Sequence, residues 1–136
     1  IVIGITTSLS NTQYTKNQNF ANSYAQEAMA VVRGIRDSSW TSFSLLTQPI
    51  YCLLQNSIEL TEPVLPLTNC GQNVGIFSRE ISFVHSSADC SSGAIRGSRV
   101  RVRVSWSDSK CPIGTPFCHK VELLTCLSNI DQKPEP

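Results

Sequence analysis

The chain has 136 residues, a formal net charge of +1 and only 15% charged residues. A domain of this length buries about 65–70% of the surface its unfolded chain exposes, enough for one core. The near-neutral balance argues against a bulk electrostatic pull toward nucleic acid or an acidic membrane, and no stretch reaches the ~20 apolar residues of a spanning helix.

In chain order, the first 37 residues lack proline and carry glycine only at Gly4 and Gly34. They predict one long helix. Ile1-Val2-Ile3-Gly4-Ile5 turns polar at Thr6 and reads as the end of an apolar segment that begins before Ile1. On a helical wheel Phe20, Tyr24, Ala28, Val31 and Ile35 share a narrow arc, and Ala21, Ala25 and Val32 widen it to about 140°. This stripe is expected to pack on a sheet. Val2 and Leu9 continue the same side, whereas Asn11, Gln13, Asn17, Gln18 and Asn19 leave the middle turns polar on all faces. Such a stretch needs tertiary or quaternary support. A helix of about 37 residues is near 55 Å long, so its N-terminal half is expected to project from the head. Gly34 costs roughly 1 kcal/mol in a helix interior and is expected to admit a close neighbour.

Ser38-Ser39 end the helix, with Trp40 and Phe43 anchoring the exit. After Gln48-Pro49, short strands are predicted at 50–54 and 57–61, and Pro63 and Pro66 keep the next stretch out of regular structure. Residues 76–84 alternate, with Phe77, Ile81 and Phe83 on one face. Residues 98–106 alternate more clearly: Val100, Val102, Val104 and Trp106 face one way, and Arg99, Arg101 and Arg103 the other. That is a half-buried antiparallel strand. The last strand covers 120–127, and 131–136 reads as a flexible tail. One apolar face requires Val104 opposite Val121, Val102 opposite Leu123 and Val100 opposite Thr125. This register sets Arg103 beside Glu122, a favourable cross-strand pair, and leaves Ser107 to Cys118 as the hairpin loop.

All six cysteines lie beyond the helix. An even count in the loop-rich part reads as structural disulfides formed outside the cytoplasm. Of the fifteen connectivities that six cysteines allow, the register favours Cys111–Cys118, within one loop, and Cys90–Cys126, because Cys126 falls opposite Arg99 near the loop holding Cys90. Cys52–Cys70 is then left by elimination. Each bridge would add about 2–4 kcal/mol. A zinc site would want tighter ligand spacing than Cys111, Cys118 and His119 show, so no metal is expected. His85 and His119 accompany no nucleophile elbow, phosphate loop or paired carboxylates, so no catalytic group or cofactor is expected. Arg96, Arg99, Arg101 and Arg103 form a basic stripe that could contact an anion or a phosphate backbone. No aromatics interleave with them, and the expected state is a solvated or paired sheet face.

Several segments, taken in order, resemble type IV pilin-like proteins. They are residues 11–18; Tyr24-Ala25-Gln26-Glu27-Ala28; Val31-Val32-Arg33-Gly34-Ile35-Arg36-Asp37-Ser38-Ser39-Trp40; Gly75 to Ile81; Arg101-Val102-Arg103-Val104-Ser105-Trp106; and residues 121–129. The resemblance covers most of the chain, and the order and spacing of these segments carry more of it than any one motif. It implies an α+β lollipop in a single domain: a long helix over 1–38 packed on an antiparallel sheet of about four strands, with a disulfide-bearing head over 39–130. It further implies a structural subunit, not an enzyme. Ile1, Val2, Ile5 and Leu9 would lie in the core of an extracellular filament, copies of this chain or other pilins would be the partners, and a preceding apolar segment would hold the membrane before assembly. The rival readings are a secreted, disulfide-stapled binding or adhesin domain, and a minor pilin that binds DNA through Arg99, Arg101 and Arg103.

Overall fold

The computed structural model describes residues 2–63 and 69–129, with side chains described from Thr12 onward. Pro66, the 131–136 segment and the side chains of Ile1, Val2, Ile5 and Leu9 lie outside the described residues. The elements are α1 (Val2–Ser38), α2 (Trp40–Ser44), β1 (Tyr51–Cys52), β2 (Ser78–Val84), β3 (Gly97–Trp106) and β4 (His119–Ser128), with a 3-10 turn at Ala88–Cys90 between β2 and β3. The strands form one antiparallel sheet in the order β1-β2-β3-β4. The fold is α+β, a long N-terminal helix laid on a four-stranded antiparallel sheet.

No proline interrupts α1, and Arg36 in its last turn complements the negative end of the helix dipole. At Ser39 the backbone is extended, and its hydroxyl accepts from the Ser42 amide at 3.2 Å, capping α2. The single turn of α2 drives Phe43 fully into the core, edge-on to Phe83 with ring centroids 5.5 Å apart.

β3 and β4 pair in the register that one apolar face requires. Val104 lies opposite Val121, Val102 opposite Leu123, Val100 opposite Thr125 and Arg99 opposite Cys126. The early strands differ from expectation. The 50–54 strand contracts to Tyr51–Cys52, and the 57–61 strand is replaced by a turn with one bridge, Cys52 to Thr61. There Asn56 takes a positive φ of 61°, the Ser57 hydroxyl accepts from the Glu59 amide at 3.1 Å, and Ile58 is left 78% exposed. Local side-chain bonds of this kind offer the backbone an alternative to a ladder. β2 starts two residues later than the alternation suggests, because Val74 and Phe77 close a tight turn around Gly75 at φ 57°; glycine adopts that φ without strain.

The helix packs on the sheet through small side chains. Ala21, Ala25, Ala28 and Val32 are completely buried and Met29 nearly so. Alanines let the helix axis sit close to the valines of β3, and Val100, Val102 and Val104 are themselves completely buried. Tyr24, Val31 and Ile35 flank this line, partly buried against the core. Phe20 does not belong to it. Its ring is 43% exposed, stacked beside Tyr24 at 6.2 Å, with Lys16 Nζ 5.9 Å from its centroid. The seam is rotated toward the alanines because a phenylalanine on it would hold the helix off the sheet.

The middle turns are also less uniformly polar in environment than their composition suggests. Asn17 is buried at 7% exposure, its side-chain oxygen accepting from Gln13 Nε2 at 3.2 Å. Tyr14 lies on Trp106 and His119, with centroids 5.9 and 5.0 Å away. Side-chain contact between α1 and the sheet thus reaches at least as far toward the N-terminus as Tyr14. The residues from Val2 to that point account for about 18 Å of helix.

Candidate assembly surface on the long helix

The sheet-facing seam of α1 is tied down by a residue that periodicity alone does not single out as polar core. Arg79 lies in β2 between the apolar Phe77 and Ile81, and its side chain is completely buried. Its Nε donates to the Leu53 carbonyl at 3.1 Å, Nη2 to Leu54 at 2.9 Å and Nη1 to Tyr24 at 3.2 Å. Glu27 on α1 stands 3.5 Å from Nη1. Burial pushes the guanidinium below its ordinary value, and Glu27 opposes that shift. The fork geometry of arginine serves three carbonyls from two separate segments at once. The signal in the sequence is a lone arginine in phase with the apolar residues of a strand.

Beside this seam one flank of the helix is open and largely apolar. Ala30, Val31, Gly34 and Ile35 of α1, with Ser42 of α2 and the exposed Ile58, line a groove of about 610 Å³. The close neighbour expected at Gly34 is not there: nothing lies within 4 Å of the position its β-carbon would take. Its missing side chain deepens the groove instead. The apolar face of α1 is therefore wider than the sheet covers: Val31 and Ile35 edge the buried seam, and Ala30 and Gly34 extend it into the open groove, which Glu27, Ser38 and Ser39 also line.

The arginine stripe lies on the opposite sheet face. Arg103 Nε donates to Glu122 Oε1 at 3.0 Å, and Arg99 stands 3.5 Å from Asp89. Lys120 joins Glu122 at 3.3 Å. Partial burial works to raise the Glu122 carboxyl, but the hydrogen bond and charge of Lys120, then Arg103, outweigh it and hold it below its ordinary value. Arg101 has no ion-pair partner among the described residues and, with Arg103, Glu80 and Pro49, lines a cleft of about 200 Å³. Arg103 is thus paired within the sheet and Arg99 with the 3-10 turn before β3, and the Glu80 carboxylate shares the cleft of Arg101.

Three disulfides join Cys52 to Cys70, Cys90 to Cys126 and Cys111 to Cys118; the last two are the pairs the strand register favours, and the first is the one left by elimination. Bridges of this kind fit an oxidising compartment outside the cytoplasm. Near the second, Gly97 passes so close to Cys90 that a β-carbon would overlap the Cys90 carbonyl. Both histidines have close polar neighbours. His85 Nε2 lies 2.8 Å from the Leu46 carbonyl, which can only accept, so Nε2 carries the proton and Nδ1 accepts from Ser98 Oγ at 2.8 Å. Ser98 is 1% exposed, so this pair splices β2, β3 and the segment after α2 and offers no accessible nucleophile. His119 Nε2 stands 2.9 Å from Asp108 Oδ1 in the β3–β4 loop. No helix among the described residues is long and apolar enough to cross a membrane.

Comparison with family models, with curated proteins and with solved structures finds no match to this chain.

Proposed function

We propose that this chain is a structural subunit of an extracellular filament of the type IV pilus kind, assembling through α1. The observation that carries the reading is the apolar flank of α1 that the sheet leaves open. The seam itself is buried on the sheet, while its flank at Ala30 and Gly34, facing the exposed Ile58 of the loop after β1, has no cover within the described chain. A helix whose apolar face is wider than its sheet contact gains by burying the remainder, and neighbouring copies in a filament provide that packing. The length of α1 supports the same reading, since at about 55 Å it outruns a ten-residue strand of about 34 Å. The resemblance of the helix and of the β3–β4 segments to type IV pilin-like proteins gives the filament its class. The pairing of Arg99 with Asp89 and of Arg103 with Glu122 favours a structural role over DNA capture.

The coding sequence upstream of Ile1 tests this. The reading expects a short basic leader, a pilin-type cleavage site and about 20 apolar residues running into Ile1. A conventional secretory signal joined directly to this chain would favour the secreted binding-domain alternative.

A further inference from the structure

We propose that the β3–β4 hairpin loop is a redox-gated site for a thiophilic divalent cation, zinc above all, closed while Cys111–Cys118 is oxidised and opened when that bridge is reduced. Asp108, Cys111, Cys118 and His119 each offer one ligand atom, and these atoms all lie within 4.8 Å of one another. A tetrahedral zinc site with two thiolates, one imidazole and one carboxylate has ligand–ligand edges of about 3–4 Å, set by bond lengths near 2.0–2.3 Å. Reduction lets the two sulfurs part from bonding distance to about 3.8 Å. The intervening loop, exposed from Pro112 to Pro116, can absorb that movement.

The frame of the site does not depend on the disulfide. The Lys110 amide donates to Asp108 Oδ1 at 2.8 Å, the Cys111 amide to the Asp108 carbonyl at 3.1 Å, and the Phe117 amide to Ser107 Oγ at 2.5 Å. The imidazole is held by rings on two sides, Tyr14 at 5.0 Å and Trp106 at 5.4 Å. Its Nε2 is shielded from solvent and makes no aligned hydrogen bond, although Asp108 Oδ1 is only 2.9 Å away. A nitrogen so placed, beside a carboxylate and two sulfurs, has the surroundings of a ligand.

The chemistry balances with a dithiol reductant. Its thiolate attacks the sulfur of Cys118, the more exposed of the two cysteines, the Cys111–Cys118 bond breaks, and a mixed disulfide forms. The reductant's second thiol displaces Cys118 and closes the reductant's own disulfide. Two electrons pass to the protein, leaving two cysteine thiols. Zinc then displaces the two thiol protons, because thiolates are the ligands. With the bridge closed neither sulfur is a thiolate, and the set falls to one imidazole and one carboxylate.

Cobalt(II) is the probe, since its absorption reports tetrahedral thiolate ligation. The chain is treated with graded dithiol, and alkylation mapping identifies which cysteines open. The expected result is that Cys111 and Cys118 open first with the head still folded by circular dichroism. One equivalent of cobalt should then give tetrahedral thiolate bands that zinc abolishes, with none in the oxidised chain. His119→Gln and Asp108→Asn should each weaken cobalt binding at least about tenfold without changing the thiol count. Earlier opening of Cys52–Cys70 or Cys90–Cys126, unfolding on reduction, no cobalt bands from the reduced loop, or binding indifferent to both substitutions would each overturn the proposal.

Discussion

Arg79 Nη1 reaches from the sheet to the backbone of the helix, donating to the Tyr24 carbonyl at 3.2 Å. The same guanidinium serves Leu53 and Leu54, so one side chain ties α1, β2 and the segment after β1 together. Arg79→Met keeps an unbranched apolar stem but strands those carbonyls away from water. It should cost about 3 kcal/mol, the scale on which buried acceptors losing a charged donor destabilise. Glu27 is half-exposed at 48% and can rehydrate, so Glu27→Gln should cost less than about 1 kcal/mol. Urea unfolding of both variants checks the difference; equal costs would make the ion pair, not the carbonyl network, the important part.

Gly97 should tolerate no side chain. In Gly97→Ala the new β-carbon collides with backbone, the Cys90 carbonyl, and backbone cannot swing aside as a side-chain tip can. Overpacking of this kind costs about 1–3 kcal/mol. Because Cys90 is bridged to Cys126, displacement of its backbone should also make that bridge the first of the three to reduce. Thermal unfolding and timed alkylation read the two effects separately.

Gly34 should behave oppositely. Its β-carbon position is open and its place is a helix interior, so Gly34→Ala should stabilise the isolated chain by up to about 1 kcal/mol. The added methyl also fills part of the groove beside Ile58. A variant that melts higher yet assembles less well would separate folding from the proposed packing of copies. Equal assembly would show that the groove is not used.

Much of the architecture is legible in the chain because it rests on periodicity. The valine alternation of β3 requires one pairing with β4, and that pairing brings Cys126 toward the Cys90 loop. The helix seam is less legible. A wheel ranks Phe20 with the apolar side, whereas the distance of the helix from the sheet is set by Ala21, Ala25 and Ala28. Arg79 and Asn17 are hidden for a related reason: their burial depends on the segments that close over them. Asp108 joins the cluster at Cys111, Cys118 and His119 only once the hairpin closes, which spacing along the chain does not show.

Acid should weaken the β3–β4 pair. Glu122 is held below its ordinary value when folded, so its contribution is fully present above the unfolded carboxylate value of about 4.3 and is lost as pH falls through the lower folded value. Glu122→Gln should therefore lower stability modestly at neutral pH, converge with the parent chain in acid, and so flatten the acid limb that opens below the unfolded carboxylate value. Denaturant midpoints measured from neutral pH down that limb decide it. A limb of unchanged slope would place the acid-sensitive carboxylates elsewhere.

The central claim is that α1 is an assembly helix, and immunogold electron microscopy of the cells that make this protein tests it most directly. Antibody raised against the folded head should decorate surface filaments at regular intervals along the shaft. Mass spectrometry of sheared filaments should recover this chain with its three disulfides intact. Label confined to the soluble secreted fraction, with filaments present and bare, would contradict the account.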